Sequence, residues 1–220
     1  MKKMTSVLCG LFAAVALCGA ETSAADANLL VNADLANPLG SYWKPGSGWY
    51  VSYWIHGSEE NRKKFDAPTQ KMIVPKIVTT EDGKKALELN RPAELETLMG
   101  DISDKFTASF TQIVKLPDEN GGIYQLSVDY RSEVIGKNRH DQLILLWFRD
   151  GSDPRPDAGK ETRTYDYFRF EPSTNNAWKT VVHKFKVPPK TRDLNITFRA
   201  DGAGKIQFRN MKLVRLADLP

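Results

Sequence analysis

The sequence predicts an all-β chain folded as a two-sheet antiparallel sandwich or barrel, and three observations carry that expectation. Apolar and polar residues alternate strictly in several separate segments, the signature of strands with one face buried and one face wet. Clusters of Gly, Pro, Asn and Asp punctuate those segments at short intervals, as hairpin connections require. No segment shows the apolar periodicity of a long amphipathic helix.

Along the chain, strands are expected at 29–32, 49–55, 72–79, 86–89 and 109–116. The clearest is 123–130, where Tyr124, Leu126, Val128 and Tyr130 face one way and Gln125, Ser127 and Asp129 the other. Strands at 142–149 and 165–170 follow. The next, 181–187, sets Val181, His183, Phe185 and Val187 against Val182, Lys184 and Lys186. Another, 194–199, sets Leu194, Ile196 and Phe198 against Asn195, Thr197 and Arg199, and 205–216 closes the chain. Turn signals separate them at Glu81-Asp82-Gly83, in 117–122, at Gly136-Lys137-Asn138, at Pro188-Pro189 and in 201–204. Residues 94–101 are expected to form no more than a helical turn. Two connections, 35–48 and 150–164, are longer than hairpins need, and long loops on a rigid sandwich commonly carry binding.

The formal net charge is +4, with both signs interspersed. That balance speaks against nucleic acid as a partner and leaves room for a basic patch facing an acidic glycan. Residues 1–27 are expected to be an export signal: Lys2 and Lys3 are basic, 7–17 is an apolar run too short to span a bilayer, and Ala25-Asp26-Ala27 is a small-x-small cleavage site. Cleavage before Asn28 leaves 28–220 as a single domain, secreted or periplasmic. The alternative is a lipid anchor on Cys18, although Leu17 stands where a lipobox takes a small residue. Cys9 and Cys18 both fall within the signal, so the mature chain is expected to have no disulfide, thiol nucleophile or cysteine metal site. His56, His140 and His183 are the three histidines, too few for a His-rich metal centre. No later stretch is apolar enough for a membrane span.

Four segments carry a family resemblance. The run 28–35, Asn-Leu-Leu-Val-Asn-Ala-Asp-Leu, resembles the opening N-L-(L/V)-x-N-G-D-F of jelly-roll carbohydrate-binding modules of the family 4, 9 and 22 type, a galactose-binding-like β-sandwich. The closing 204–213, Gly-Lys-Ile-Gln-Phe-Arg-Asn-Met-Lys-Leu, is similar to their last strand. Between these, 123–131 resembles the central Y-x-L-S-x-x-(Y/A)-R strand, and Trp178 with Phe185, Val187 and Pro188 fits W-x(6)-F-x-V-P. The resemblance implies a two-sheet antiparallel jelly-roll β-sandwich in which 28–32 lies beside 206–213. It implies sugar binding less specifically, because this sandwich hosts many functions.

The departures from the family pattern concern a structural calcium that the resemblance implies where the first and last strands meet. Asp34 is kept, but Ala36 and Arg209 replace two of the carboxylates. A guanidinium placed there repels the ion and is able to pair with Asp34 instead as an internal cation, so no cofactor is expected, with a structural calcium the disfavoured alternative. Ala33 stands where the family turn has its glycine.

The function expected is non-catalytic recognition of a polysaccharide or cell-surface glycan. The set Trp43, Trp49, Tyr50, Tyr53 and Trp54 is dense in aromatics, and an indole face packs against a sugar ring. Alternation makes one parity of this set core, which leaves Trp49 and Trp54 both as candidates. Asp129 and Arg131 project from the polar side of their strand, one of Trp147 and Phe148 leaves the core, and Tyr165, Tyr167 and Arg169 share one parity. With Trp147, these residues are expected to line one concave sheet face. The bland readings are core packing for the aromatics and cross-strand pairing for the charges. An exported protein partner and a jelly-roll lyase or hydrolase remain as alternatives. Arg131-Ser132-Glu133 and Gln112-Ile113 resemble two alginate-lyase motifs, but in reverse order and with Val114 in place of the needed His. Asp150, Asp153 and Asp157 suit an ordinary turn as well as a cation, and the sequon Asn195-Ile196-Thr197 lies in a strand.

Overall fold

The computed structural model describes residues 27–40, 48–55, 59–64, 72–73, 75–99, 106–134, 142–149, 165–171, 173–201 and 203–219. The elements are β1 (Tyr50–Ile55), α1 (Glu59–Lys64), β2 (Lys76–Thr79), β3 (Lys85–Arg91), α2 (Ala93–Met99), β4 (Phe106–Lys115), β5 (Gly122–Val134), β6 (Gln142–Arg149), β7 (Tyr165–Arg169), β8 (Lys179–Val187), β9 (Asp193–Asp201) and β10 (Gly204–Ala217). All pairings between them are antiparallel, and they make two sheets. Sheet I has the order β1-β4-β9-β6-β7 and sheet II the order β2-β3-β10-β5-β8. The all-β, two-sheet expectation therefore holds.

Each strand sends alternate residues inward. From sheet I come Phe110, Val114, Ile144, Leu146, Phe148, Leu194, Ile196 and Phe198; from sheet II come Leu87, Leu89, Tyr124, Leu126, Val128, Phe185, Phe208 and Leu213, all buried. Aromatic rings stitch the sheets together. Trp49 stacks on Phe198 at 4.9 Å, Phe198 on Phe208 at 4.8 Å, and Tyr130 meets Phe170 at 4.5 Å between centroids. Burying a ring or branched aliphatic side chain of this kind contributes about 1.5–3 kcal/mol.

The first segment docks where the family resemblance implies, but it is not a strand. The Leu29 amide donates to the Leu213 carbonyl at 2.9 Å, Asn28 Nδ2 donates to the Met211 carbonyl, and Asn28 Oδ1 accepts from the Leu213 amide. Residues 31–34 then turn. Positive φ falls on Asn32 (52°) and Leu35 (58°) rather than on Ala33. The expected glycine is dispensed with because asparagine, one step earlier, tolerates the left-handed region. Gln112 from β4 holds this turn through both the amide and the carbonyl of Val31. On β10, Asn210 at φ 50° marks a bulge between Arg209 and Lys212.

Candidate functional site

The outward face of sheet I gathers most of the expected binding residues. Register partners form rows across its strands. One row is Ile113, Asn195, Trp147 and Tyr165; the next is Tyr50, Thr111, Thr197, Leu145 and Tyr167; the third is Ser52, Ser109, Arg199, Leu143 and Arg169. At the β6–β7 end, Trp147 lies 5.4 Å from Tyr165 and Tyr165 stacks on Tyr167 at 6.4 Å, while the Arg169 guanidinium sits 5.8 Å from the Tyr167 ring centre. Tyr165 and Tyr167 are 56% and 49% exposed, so two tyrosine faces stand open beside the half-buried indole. Edge strands take such aromatics readily because their rings pack along the pleat.

Toward the other end the same face becomes a line of hydroxyls. Ser52 Oγ lies 2.8 Å from Ser109 Oγ and 3.2 Å from Thr111 Oγ1, Thr111 lies 3.2 Å from Thr197, and Thr197 donates to Asn195 Oδ1 at 3.2 Å. Ser109, Thr111 and Asn195 are buried, whereas Thr197 is half-buried. The accessible part of the face is therefore its β6–β7 side, with the hydroxyl line leading away from it.

Edge strand β7 is tied to the opposite sheet. His183 on β8 places Nε2 2.9 Å from Asp166 Oδ2, and its ring stacks on Phe168 at 5.0 Å. Asp166 Oδ1 also accepts from the Tyr167 amide at 2.8 Å. These contacts fix the backbone from which Tyr165, Tyr167 and Arg169 project.

Three sequence expectations are corrected. Trp49 is fully buried and stacked on Phe198, so it is core and not a platform; Tyr50, of the other parity, is buried as well. Asp129 and Arg131 do project outward, but from sheet II, because β5 pairs with β10 and β8 while β6 and β7 belong to sheet I. They lie on the opposite side of the sandwich from Trp147. Arg209 pairs with Asp82, donating from Nη1 to Oδ1 at 2.7 Å, and not with Asp34. Asp34 accepts from the Ala36 amide instead. The Trp54 side chain, Trp43, His56, His140, Asp150, Asp153, Asp157, Cys9 and Cys18 lie outside the described residues.

The sheet II face is a closed polar network. Arg131 donates to both carboxylate oxygens of Glu81 and to Gln207, which in turn donates to Glu88. Asp129 accepts from Thr180 at 2.6 Å and from Asn210 at 2.6 Å. The Trp178 ring lies under both guanidinium groups, 3.7 Å from Arg209 and 4.7 Å from Arg131. Arg131 holds the Glu81 carboxyl below its ordinary range. The Thr80 hydroxyl, followed by Arg209, lowers Asp82 to about 2. These ion pairs and hydrogen bonds join the β2–β3 turn to the sheet, with the carboxylates of Glu81, Asp82 and Asp129 spent on the guanidinium, hydroxyl and amide groups around them.

Sequence reasoning passed over Ser52, Ser109, Thr111, Arg149 and Leu145 as face residues. Ser109 and Thr111 were legible as the polar parity of β4, and Leu145 and Arg149 as sharing the parity of Trp147 on β6, but only the pairing of β9 between β4 and β6, and of β1 with β4, puts them and Ser52 on one face.

No protein-family model matches the chain, and no curated protein does either. Solved structures share its fold. The enzymatically active domain of tailspike protein 4 of bacteriophage CBA120 superposes with a TM-score of 0.53 at 15% identity over 86% of this chain. The match spans only 21% of the tailspike chain. A candidate sugar-binding protein of Bacteroides thetaiotaomicron gives 0.51 at 10% identity, covering 86% of this chain and 100% of the other. TmCBM61, solved with β-1,4-galactotriose, covers 86% and 99% at 17% identity with a TM-score of 0.49. The chain has a two-sheet antiparallel jelly-roll β-sandwich fold.

Proposed function

We propose that the chain is an exported, non-catalytic carbohydrate-binding protein that holds a polysaccharide or cell-surface glycan on the outward face of sheet I. The observation that supports this reading most is the open cluster of Trp147, Tyr165 and Tyr167, with Arg169 against Tyr167 and a line of hydroxyls beginning beside it. Aromatic faces supply apolar area for the C–H side of a sugar ring, and the adjoining polar groups fix its orientation. Export is supported by the basic, apolar and small-x-small pattern of residues 1–27. Binding to a single solvated face is weak, with a Kd on the order of micromolar to millimolar.

Titration calorimetry on a panel of plant and bacterial polysaccharides tests the site directly. Trp147→Ala, Tyr165→Ala and Tyr167→Ala each weaken binding about tenfold, roughly 1.4 kcal/mol, with the far-ultraviolet spectrum unchanged. Binding that survives all three substitutions refutes the site. Failure of every polysaccharide moves the weight to the alternative, an accessory interaction domain of an exported complex.

A further inference from the structure

We propose that the glycan held on this face is anionic, bearing carboxylate or sulfate groups. The inference rests on the carbohydrate-binding reading and specifies its ligand class.

The rows that carry the aromatics also carry cations. Arg149 follows Trp147 by two residues on β6 and so shares its face; its own row is Lys115, Asp193 and Arg149. Arg169 and Arg199 share the row on the far side of Tyr167. Among the described side chains, Asp193 is the carboxylate in these rows. Cations therefore flank the aromatic cluster at both ends, and the electrostatic complement of such a face is a chain of negative charge.

Arg149 gives the sharpest indication. It is half-buried, and its Nη2 is buried with no hydrogen-bond partner among the described residues. Asp193 stands directly opposite on β9, yet no ion pair joins the two among the described residues. This contrasts with sheet II, where Arg131, Arg209 and Arg215 are all held by carboxylates. A partly buried guanidinium without an acceptor is an incomplete arrangement, and its fork of donors fits a carboxylate or sulfate. An anionic group on a sugar stacked at Trp147 or Tyr165 supplies that acceptor, while a neutral sugar supplies only hydroxyls.

The test titrates the full chain with polygalacturonate, dextran sulfate, neutral β-1,4-galactan, dextran and, as a polyanion without sugar, polyglutamate. Polygalacturonate or dextran sulfate is expected to bind at least about tenfold more tightly than either neutral polymer at about 50 mM salt, and to lose most of that margin at about 500 mM. Which of the two binds identifies the anionic group. Arg149→Met and Arg169→Met each reduce anionic binding about fivefold or more, whereas Lys184→Met, on the other sheet, does not. Neutral polymers binding as tightly, without salt dependence, overturn the anionic assignment and leave the carbohydrate-binding reading standing. Polyglutamate binding as tightly as the sugars shows a general polyanion surface and also overturns it. No binding by any polymer refutes both readings. Loss of binding with Tyr167→Ala but not with Arg149→Met, both variants being folded by circular dichroism, removes Arg149 from the site.

Discussion

Trp49 stacks on Phe198 with none of its side chain at the surface, so its replacement tests packing rather than recognition. Trp49→Ala is expected to cost about 3–5 kcal/mol through lost burial and the cavity left behind, read as a lower urea midpoint. Asn28 is a second residue with a single job. Its Oδ1 accepts from the amides of Leu30 and Leu213 and its Nδ2 donates to Met211. Asn28→Ala leaves the Leu213 amide without that acceptor and costs about 1–3 kcal/mol. Faster hydrogen exchange at the Leu213 amide checks it. Both residues were marked in the sequence, Trp49 within a dense aromatic set and Asn28 at the head of the family's opening motif. Their roles were not, because alternation sorts a residue to a face without saying what covers that face.

Among the described residues, strand β7 pairs with β6 alone, and its inward side is held by the Asp166–His183 contact and the Phe168–His183 stack. Asp166→Ala is expected to cost about 1 kcal/mol in global stability, as loss of a single side-chain hydrogen bond does, while raising hydrogen exchange specifically in β7. Unchanged exchange in 165–169 shows that pairing with β6 alone fixes the strand. The turn into β5 is more demanding. Gly121 has φ +78°, and a Cβ there would lie 2.6 Å from the Val187 carbonyl oxygen and 2.9 Å from the Pro189 nitrogen. Gly121→Ala therefore costs about 1–3 kcal/mol from crowding, with further strain from the left-handed backbone. The sequence marked this turn through its Pro-Asp-Glu-Asn-Gly-Gly run, since only such residues turn so tightly.

At the scale of the whole molecule, the network on sheet II links stability to acid. Asp82 has its folded pKa lowered from 3.8 to about 2, by the Thr80 hydroxyl first and Arg209 next. A lowered carboxylate pKa stabilises the fold above the unfolded value, and that contribution is lost as pH falls through the folded one. The urea midpoint is therefore expected to drop between about pH 4 and pH 2, and Asp82→Asn to flatten part of that drop. A midpoint insensitive to pH in this window removes Asp82 from the account. We further propose that added calcium leaves the melting temperature unchanged, since the cation of Arg209 already occupies the carboxylates of Asp82 and Asp129. A rise reversed by EDTA overturns this.

The sequence by itself determined that the chain is all-β, where nearly every strand runs, and, for 123–130, 181–187 and 194–199, which residues face the core, because alternation and turn chemistry are local properties that a single segment expresses. It also brought Trp147, Tyr165, Tyr167 and Arg169 forward as face residues, and they share one outward face. What only the tertiary structure decided is which strands are neighbours. Asp129 and Arg131 were placed on the correct side of their own strand but on the wrong sheet, and the hydroxyl line on β4 and β9 went unread until β9 was seen between β4 and β6. The physical reason is that strand pairing is settled by non-local packing of the two inner faces, and the strand's own sequence carries the same alternation whichever sheet it joins.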